Sequence, residues 1–326
     1  MTNPSEAARA LLSRLTVPVV AAPMFLVSGP DLVIAAGRAG IIGAFPTQNC
    51  RTVDELDRWF AEITAALTVD GECLPWAVNL ITHRTNARLA EDLALVERYR
   101  PPVVITALGS PVPVLDAVHA YGGIVIADVA DLTMARKAAA AGADGLACIS
   151  VGAGGHTGSL SPFAFTAEVR SFFDGLLVIG GGISDGRGVA GAVAAGADLV
   201  YMGTRFLPAA ESMAVPEYKA MVVDSGPADL IVSAGITGTP ASWLRPSLVA
   251  NGIDPDALGE AAPDRNYQAG DSAVRRWKDL WAAGQGLGVV DAVTSVDEIV
   301  DALATDYLGA LERLTSLPVK ASPIHV

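Results

Sequence analysis

The sequence predicts an α/β chain: a closed (β/α)8 barrel with a smaller, mostly helical domain inserted after the eighth strand. Three observations lead there. Eight short apolar runs alternate with amphipathic or alanine-rich segments, the rhythm of parallel βαβ units. The runs are continuously apolar rather than alternating, as strands buried on both faces must be. A faint repeat, Ala36-Gly37-Arg38-Ala39-Gly40, Ala141-Gly142-Ala143-Asp144-Gly145 and Ala195-Gly196-Ala197-Asp198-Leu199, marks the hand-over from helix to strand, where glycine serves as a left-handed helix stop.

The strand candidates are Val17–Ala22, Ile41–Phe45, Trp76–Leu80, Val103–Ala107, Gly123–Ala127, Gly145–Ile149, Leu176–Ile179 and Leu199–Met202. Between them the pattern predicts helices over Pro30–Ala39, Val53–Leu67, Ala87–Arg100, Val112–Tyr121, Leu132–Ala141, Pro162–Phe173 and Gly186–Ala195. An open doubly wound sheet is the rival, but it wants a dinucleotide fingerprint after its first strand. Ala21-Ala22-Pro23-Met24-Phe25 lacks one. Residues 1–207 and 274–326 are therefore assigned to the barrel, and 208–273 to a helical lid or substrate domain without clear strands. A helical pattern returns in Ala273–Ala283. Ser295–Leu314 reads as the closing helix, with Ile299, Leu303, Leu308 and Leu311 on its apolar face.

Bulk properties exclude several functions. The net charge is −13 and no cluster of Lys or Arg occurs, which argues against nucleic acid and against an anionic membrane surface. No apolar run approaches the ~20 residues that span a bilayer. Residues 1–14 lack the apolar centre of a signal peptide. Cys50, Cys73 and Cys148 are scattered and show no metal spacing, so the expectation is a soluble cytoplasmic protein without a metal. Oligomeric state is left open, a homo-oligomer included.

In such a barrel, chemistry sits on the loops after the strand C-termini. Taken in order, those loops carry Pro23-Met24, Pro46-Thr47-Gln48-Asn49, Asn79 with His83, Asp128, the run Gly152-Ala153-Gly154-Gly155-His156-Thr157-Gly158, Gly180-Gly181-Gly182, and Gly203-Thr204-Arg205. The unusual residues converge on one rim. Gly180 to Asp185 and Gly203-Thr204 occupy the phosphate-binding positions of the fold, offering backbone N–H groups, a hydroxyl and a helix N-terminus. The alternative is that these glycines only make tight turns. His156, among glycines that would let a flat ligand approach, reads as a general base. The competing readings are an idle surface histidine or a metal ligand, and the latter lacks partners at ligand spacing. His83 could line the mouth or be an ordinary loop residue. Asn79 suits a heteroatom-rich ring because its amide donates and accepts, and Asp128 could do likewise or cap the next helix. Met24 is either core or a soft ligand contact.

Ala22-Pro23-Met24, Asn79-Leu80, Ala153-Gly154-Gly155-His156-Thr157-Gly158, Gly181-Gly182-Ile183, Gly203-Thr204-Arg205-Phe206 and Ala283-Gly284-Gln285-Gly286 together resemble the nitronate monooxygenases, formerly called 2-nitropropane dioxygenases. Glu211-Ser212 and Tyr218-Lys219 extend the match into the insertion. The resemblance implies an FMN-binding TIM barrel whose smaller helical domain covers the active site. It implies that Gly181, Gly182, Gly203 and Thr204 hold the FMN phosphate and that Pro23, Met24 and Asn79 lie along the isoalloxazine. Ala22, Asp128, Gly154, Gly155 and Gln285 join the cofactor-binding set, His156 is the catalytic base, and His83 is a substrate candidate. Many family members carry Gln-Gly-x-Glu just before Ala-Gly-Gly-His, whereas this chain has Ser150-Val151-Gly152. That departure bears on the substrate rather than on the flavin.

Three functions compete. The first is oxidation of alkyl nitronates, or of nitroalkanes, with O2 to carbonyl compounds and nitrite. The second is an FMN-dependent NAD(P)H reductase acting on a quinone or an enoyl thioester. The third is a non-redox barrel acting on a phosphorylated sugar-like substrate, which would want a Lys or paired carboxylates.

Overall fold

The computed structural model describes residues 5–259, 275 and 277–317. In chain order the strands are β1 (Val19–Ala21), β2 (Ile42–Pro46), β3 (Thr68–Val69), β4 (Glu72–Cys73), β5 (Trp76–Ile81), β6 (Val103–Ala107) and β7 (Ile124–Val129). They continue with β8 (Gly145–Ile149), β9 (Gly155–His156), β10 (Leu176–Gly180), β11 (Leu199–Met202), β12 (Leu230–Ser233) and β13 (Ala241–Leu244). The helices begin with α1 (Glu6–Leu12), α2 (Pro30–Arg38), α3 (Val53–Leu67), α4 (Leu89–Tyr99), α5 (Val112–His119) and α6 (Leu132–Ala140). They end with α7 (Pro162–Arg170), α8 (Gly186–Ala194), α9 (Pro216–Asp224), α10 (Arg245–Ala250) and α11 (Val296–Ser316).

All eight apolar runs become strands of one closed parallel barrel, ordered β1-β11-β10-β8-β7-β6-β5-β2. Closure comes from β1, which pairs Val20 with Tyr201 of β11 on one side and with Ile42 of β2 on the other. The period of two divides each strand between two environments. Val20, Ile42, Ala44, Ala77, Ile105, Val178 and Tyr201 form an inner cluster, which α1 joins through Ala8 and Leu11. Val19, Ile179 and Val200 pack outward under the helices, as do Phe45 and Val104 on the far side.

Side-chain caps set where the helices start. Thr52 accepts from Glu55 N–H ahead of α3, and Asp131 accepts from Met134 N–H ahead of α6. Ser295 and Glu298 form a reciprocal capping box on α11. α3 then buries Leu56, Phe60, Ile63 and Leu67, a helical stripe, against the barrel.

Three features differ from the sequence reading. The described part of the insertion carries two strands as well as helices: β12 and β13 pair antiparallel, and β13 also pairs with β9 of the barrel loop. Strands of four residues each are too short to show a period of two, and β13 takes further order from its distant partner β9. The expected helix at Ala273–Ala283 is absent where described. Trp277 to Asp279 make a turn, and Ala282 forms a bridge with Trp243; Ala273, Val274 and Arg276 lie outside the described residues. On α11, Val296, Ile299, Val300 and Leu303 are buried, whereas Leu308 and Leu311 are exposed because only the first part of the helix packs on the barrel.

One buried ion pair braces the rim. Arg88 donates from Nε to the fully buried Asp92 carboxylate at 2.7 Å, and its guanidinium also donates to the carbonyls of Thr47 and Cys50, both at 2.6 Å. This ties α4 to the loop after β2. Burial raises the Asp92 pKa even though the nearby Thr47 hydroxyl and the Arg88 guanidinium pull it down. Removing the cation would strand a buried carboxyl. Arg88→Met should therefore cost about 3–5 kcal/mol in urea unfolding. The double variant Arg88→Met/Asp92→Leu should recover part of that loss.

Candidate active site

The loops that leave the C-terminal ends of the barrel strands meet at one mouth. At the end of β1, the Met24 backbone N–H donates to Ser28 Oγ at 3.0 Å, and Asn49 clamps the same loop. Its amide donates to the carbonyls of Met24 (3.1 Å) and Ser28 (2.7 Å) and accepts from Leu26 N–H (2.7 Å). Leu26 sits there with φ +62°, a conformation this clamp sustains. The half-buried Met24 side chain lies against Gly203, whose missing Cβ would sit 3.5 Å from the sulfur. Ala22 is held to the last strand by its N–H to Met202 O.

Inside the mouth the apolar barrel turns polar. Asn79 of β5 is buried, and its Nδ2 donates to Asp128 Oδ2 of β7 at 3.4 Å. Burial pushes the Asp128 carboxyl up to about 7, with the Tyr201 hydroxyl and the Asn79 amide offsetting part of the rise. Asp128 Oδ1 and Tyr201 Oη find no hydrogen bond of ordinary geometry among the described residues, although they lie close enough to influence each other. Asp128 does not cap the next helix; Asp131 does. Tyr201 carried no signal beyond being a polar tip in an apolar strand.

His156 stands on an ordered strand, not at the tip of a pliable loop. β9 pairs with β13 through Ala241↔His156 and Ser242↔Gly155, and Thr157 N–H donates to Pro240 O. Thr157 Oγ1 closes the loop on Ser150 O at 3.0 Å. The imidazole meets Trp277 edge to face at 5.2 Å between centroids, and Trp277 in turn stacks on Trp243 at 4.5 Å. Burial lowers the His156 pKa below its ordinary value, and Nε2 is buried without a partner among the described residues. A neutral imidazole with an unengaged ring nitrogen is equipped to take a proton.

The glycines around it serve the protein as much as any ligand. A Cβ on Gly154 would sit 2.7 Å from Gly284 N, and one on Gly152 would sit 2.9 Å from Gln285 Oε1. This close approach lets the 283–285 segment cross the mouth, with Gln285 N–H donating to Gly152 O and Gly284 N–H to Thr204 Oγ1. Tyr218 and Lys219 anchor the same region: Tyr218 Oη bonds Ala282, and Lys219 Nζ donates to Ala209 O. Glu211 accepts from Val296 N–H at the start of α11.

The Gly180–Asp185 loop and the 285–289 segment line a cavity of about 150 Å³ through Gly182, Ser184, Asp185, Gln285, Gly286, Gly288 and Val289. Gly181 and Gly182 turn with φ +147° and +69°, which side chains resist. At the N-terminus of α8, Asp185 accepts from Gly188 N–H and pairs with Arg187. A flavin fits these residues on three counts: the glycine cradle, the unpartnered Asp128 Oδ1, and the unpartnered His156 Nε2. His83 lies on the same rim but is exposed, its Nδ1 2.8 Å from Thr85 Oγ1. Asn49 stands in the rim loop that the sequence points to, whereas Tyr201, Trp243 and Trp277 escape it because none stands in a recognisable spacing.

A closed parallel barrel with a histidine and glycine loops on its C-terminal rim defines an enzyme of the (β/α)8 class. The nitronate monooxygenase family model matches residues 8–306, and the chain belongs to that family of oxidoreductases. It is 27% identical over 361 residues to a nitronate monooxygenase from Paraburkholderia phytofirmans, covering 94% of this chain and 97% of that one. It is 33% identical over 232 residues to a Rhodococcus jostii protein named (3aS,4S,5R,7aS)-5-hydroxy-7a-methyl-1-oxo-octahydro-1H-indene-4-carboxyl-CoA dehydrogenase. That alignment covers 71% of this chain and 64% of the relative, so less than two thirds of the relative's length is matched. Among solved structures, a mutant FabK from Thermotoga maritima superposes with TM-score 0.75 and 26% identity, covering 94% of this chain and 98% of that one.

The buried carboxyl gives a pH signature. Between the ordinary value of 3.8 and about 7, the folded state keeps a proton on Asp128 that the unfolded chain releases. Stability should therefore fall as pH rises through that window. In urea melts at its two ends, Asp128→Asn should remove this slope.

Proposed function

We propose that the protein is an FMN-dependent oxidoreductase that oxidises alkyl nitronates, and nitroalkanes after deprotonation, with O2 to carbonyl compounds and nitrite. The observation that supports it is the His156 ring, half-buried, its pKa lowered by burial, with a buried Nε2 that has no partner among the described residues. In this reading Gly181, Gly182, Gly203 and Thr204 hold the FMN phosphate. Ala22, Pro23, Met24, Asn79, Asp128, Gly154, Gly155 and Gln285 line the rest of the cofactor. When bound, FMN supplies the electron and O2 chemistry. His156 takes the proton from the carbon of a neutral nitroalkane, and a nitronate arrives without needing that step. The segment 208–273 acts as the lid or substrate domain, delivering β13 to the His156 strand. A cytoplasmic setting accords with the free thiols of Cys50, Cys73 and Cys148. His83, exposed and held by Thr85, has no part in this reading.

The test is propyl-2-nitronate with the purified yellow protein and no NAD(P)H. Nitrite release with O2 uptake is expected. His156→Asn should slow the neutral nitroalkane by about 10²–10⁴-fold and the nitronate far less. Equal rates of variant and wild type on the nitroalkane would overturn the base assignment.

A second reading, an FMN-dependent NAD(P)H reductase of a quinone or an enoyl thioester, is favoured by the carboxyl-CoA dehydrogenase name of the Rhodococcus jostii relative. Anaerobic mixing with NADH separates the two. Rapid bleaching of the flavin band supports the reductase, and a band stable for minutes rules it out.

A further inference from the structure

We propose that Trp277 is a positioning residue for His156: its indole clamps the imidazole edge to face, shields it from water and keeps it aimed into the mouth. The proposal rests on His156 being the base of the reading above.

The geometry carries the argument. The Trp277 ring lies 5.2 Å from the His156 ring at an interplanar angle of 70°, the edge-to-face arrangement that aromatic quadrupoles prefer. Its six-membered ring also lies over Gly155, where an added Cβ would sit 3.5 Å from Cζ3 and 3.7 Å from Cη2. Both are ordinary contact distances, so the indole packs directly on this backbone, and it is the φ of +65° that asks for glycine at 155.

The clamp is itself supported. Trp277 stacks on the fully buried Trp243 of β13, the strand that pairs with His156. Beyond Trp277 the chain is stitched to the same strand by the Trp243↔Ala282 bridge and by Leu244 N–H to Trp281 O at 2.9 Å. Trp277 adopts φ +65°, an uncommon conformation for a bulky residue and one found where surroundings impose it.

No titratable or charged side chain among the described residues shifts His156, whether from its own loop, from β13 or from the Trp277 segment; burial alone acts on it. Removing part of that burial hydrates the ring and favours its charged form, so the titration moves upward.

The experiment uses the holoprotein and three variants, Trp277→Leu, Trp277→Phe and His156→Asn. The last assigns the His156 ring signal among the four histidines in the NMR spectrum. Trp277→Leu should raise the His156 titration midpoint by about half a unit or more toward the ordinary value, and Trp277→Phe should hold it near wild type. The acid limb of the kcat/KM profile for a neutral nitroalkane should move the same way, with kcat down about 10-fold in the leucine variant from misaligned proton transfer. A folded Trp277→Leu with a wild-type His156 titration overturns the proposal. Loss of the fold in both Trp277 variants also overturns it, by making the residue purely structural. If the titration shifts while nitronates and nitroalkanes are not turned over, the clamp stands and the nitronate reading fails.

Discussion

Closure of the barrel through its shortest strand is the constraint on which the rest depends. β1 contributes only Val19, Val20 and Ala21, yet it joins β11 to β2 and turns an open sheet into a ring. Without that seam the inner cluster of Val20, Ala77, Val178 and Tyr201 would have no enclosed volume to fill. With it, every strand-to-helix loop leaves from the same end, and the rim gathers residues from across the chain. Packing on the outside reinforces the ring. At Gly43, for example, an added Cβ would sit 2.7 Å from Val33 Cα, so α2 rests directly on β2.

The same closure makes the polar residues at the mouth expensive. Asn79, Asp128 and Tyr201 share an interior that is otherwise aliphatic, and no cationic side chain stands among the groups that shift Asp128. A buried carboxyl in that position stays protonated up to near neutrality rather than carry an uncompensated charge. Protonated, it can donate as well as accept, which suits the carbonyl and ring-nitrogen edge of a heterocycle. Stability is spent where a ligand would recover it.

A second layer lies across the rim. β13 adds a strand to Gly155–His156, and the 283–285 segment crosses between the Gly152 and Thr204 loops. Tyr218, stacked on Trp281 at 5.0 Å and bonded to Ala282, holds that crossing in place. His156 is therefore framed by backbone pairing on one side and by the Trp277 indole on the other. Its lowered pKa follows from burial in this frame, not from any charged neighbour.

The barrel was legible because each of its strands announces itself locally. An apolar run such as Gly145–Ile149 and a glycine stop such as Gly142 are properties of a few consecutive residues. The rim was legible for the same reason: the order of strands dictates which loops meet, so His156, Asn79, Asp128 and Gly181-Gly182 could be placed together from the chain alone. What lies above the rim was not legible. The pairing of Ala241 with His156 spans 85 residues, and the meeting of Trp277 with His156 spans 121. Neither leaves a periodic trace, because short strands and single aromatic contacts have no local signature. The sequence determined the barrel and the residues on its rim; tertiary packing decided that His156 is ordered, shielded and short of a hydrogen-bond partner, since those properties depend on distant segments brought against it.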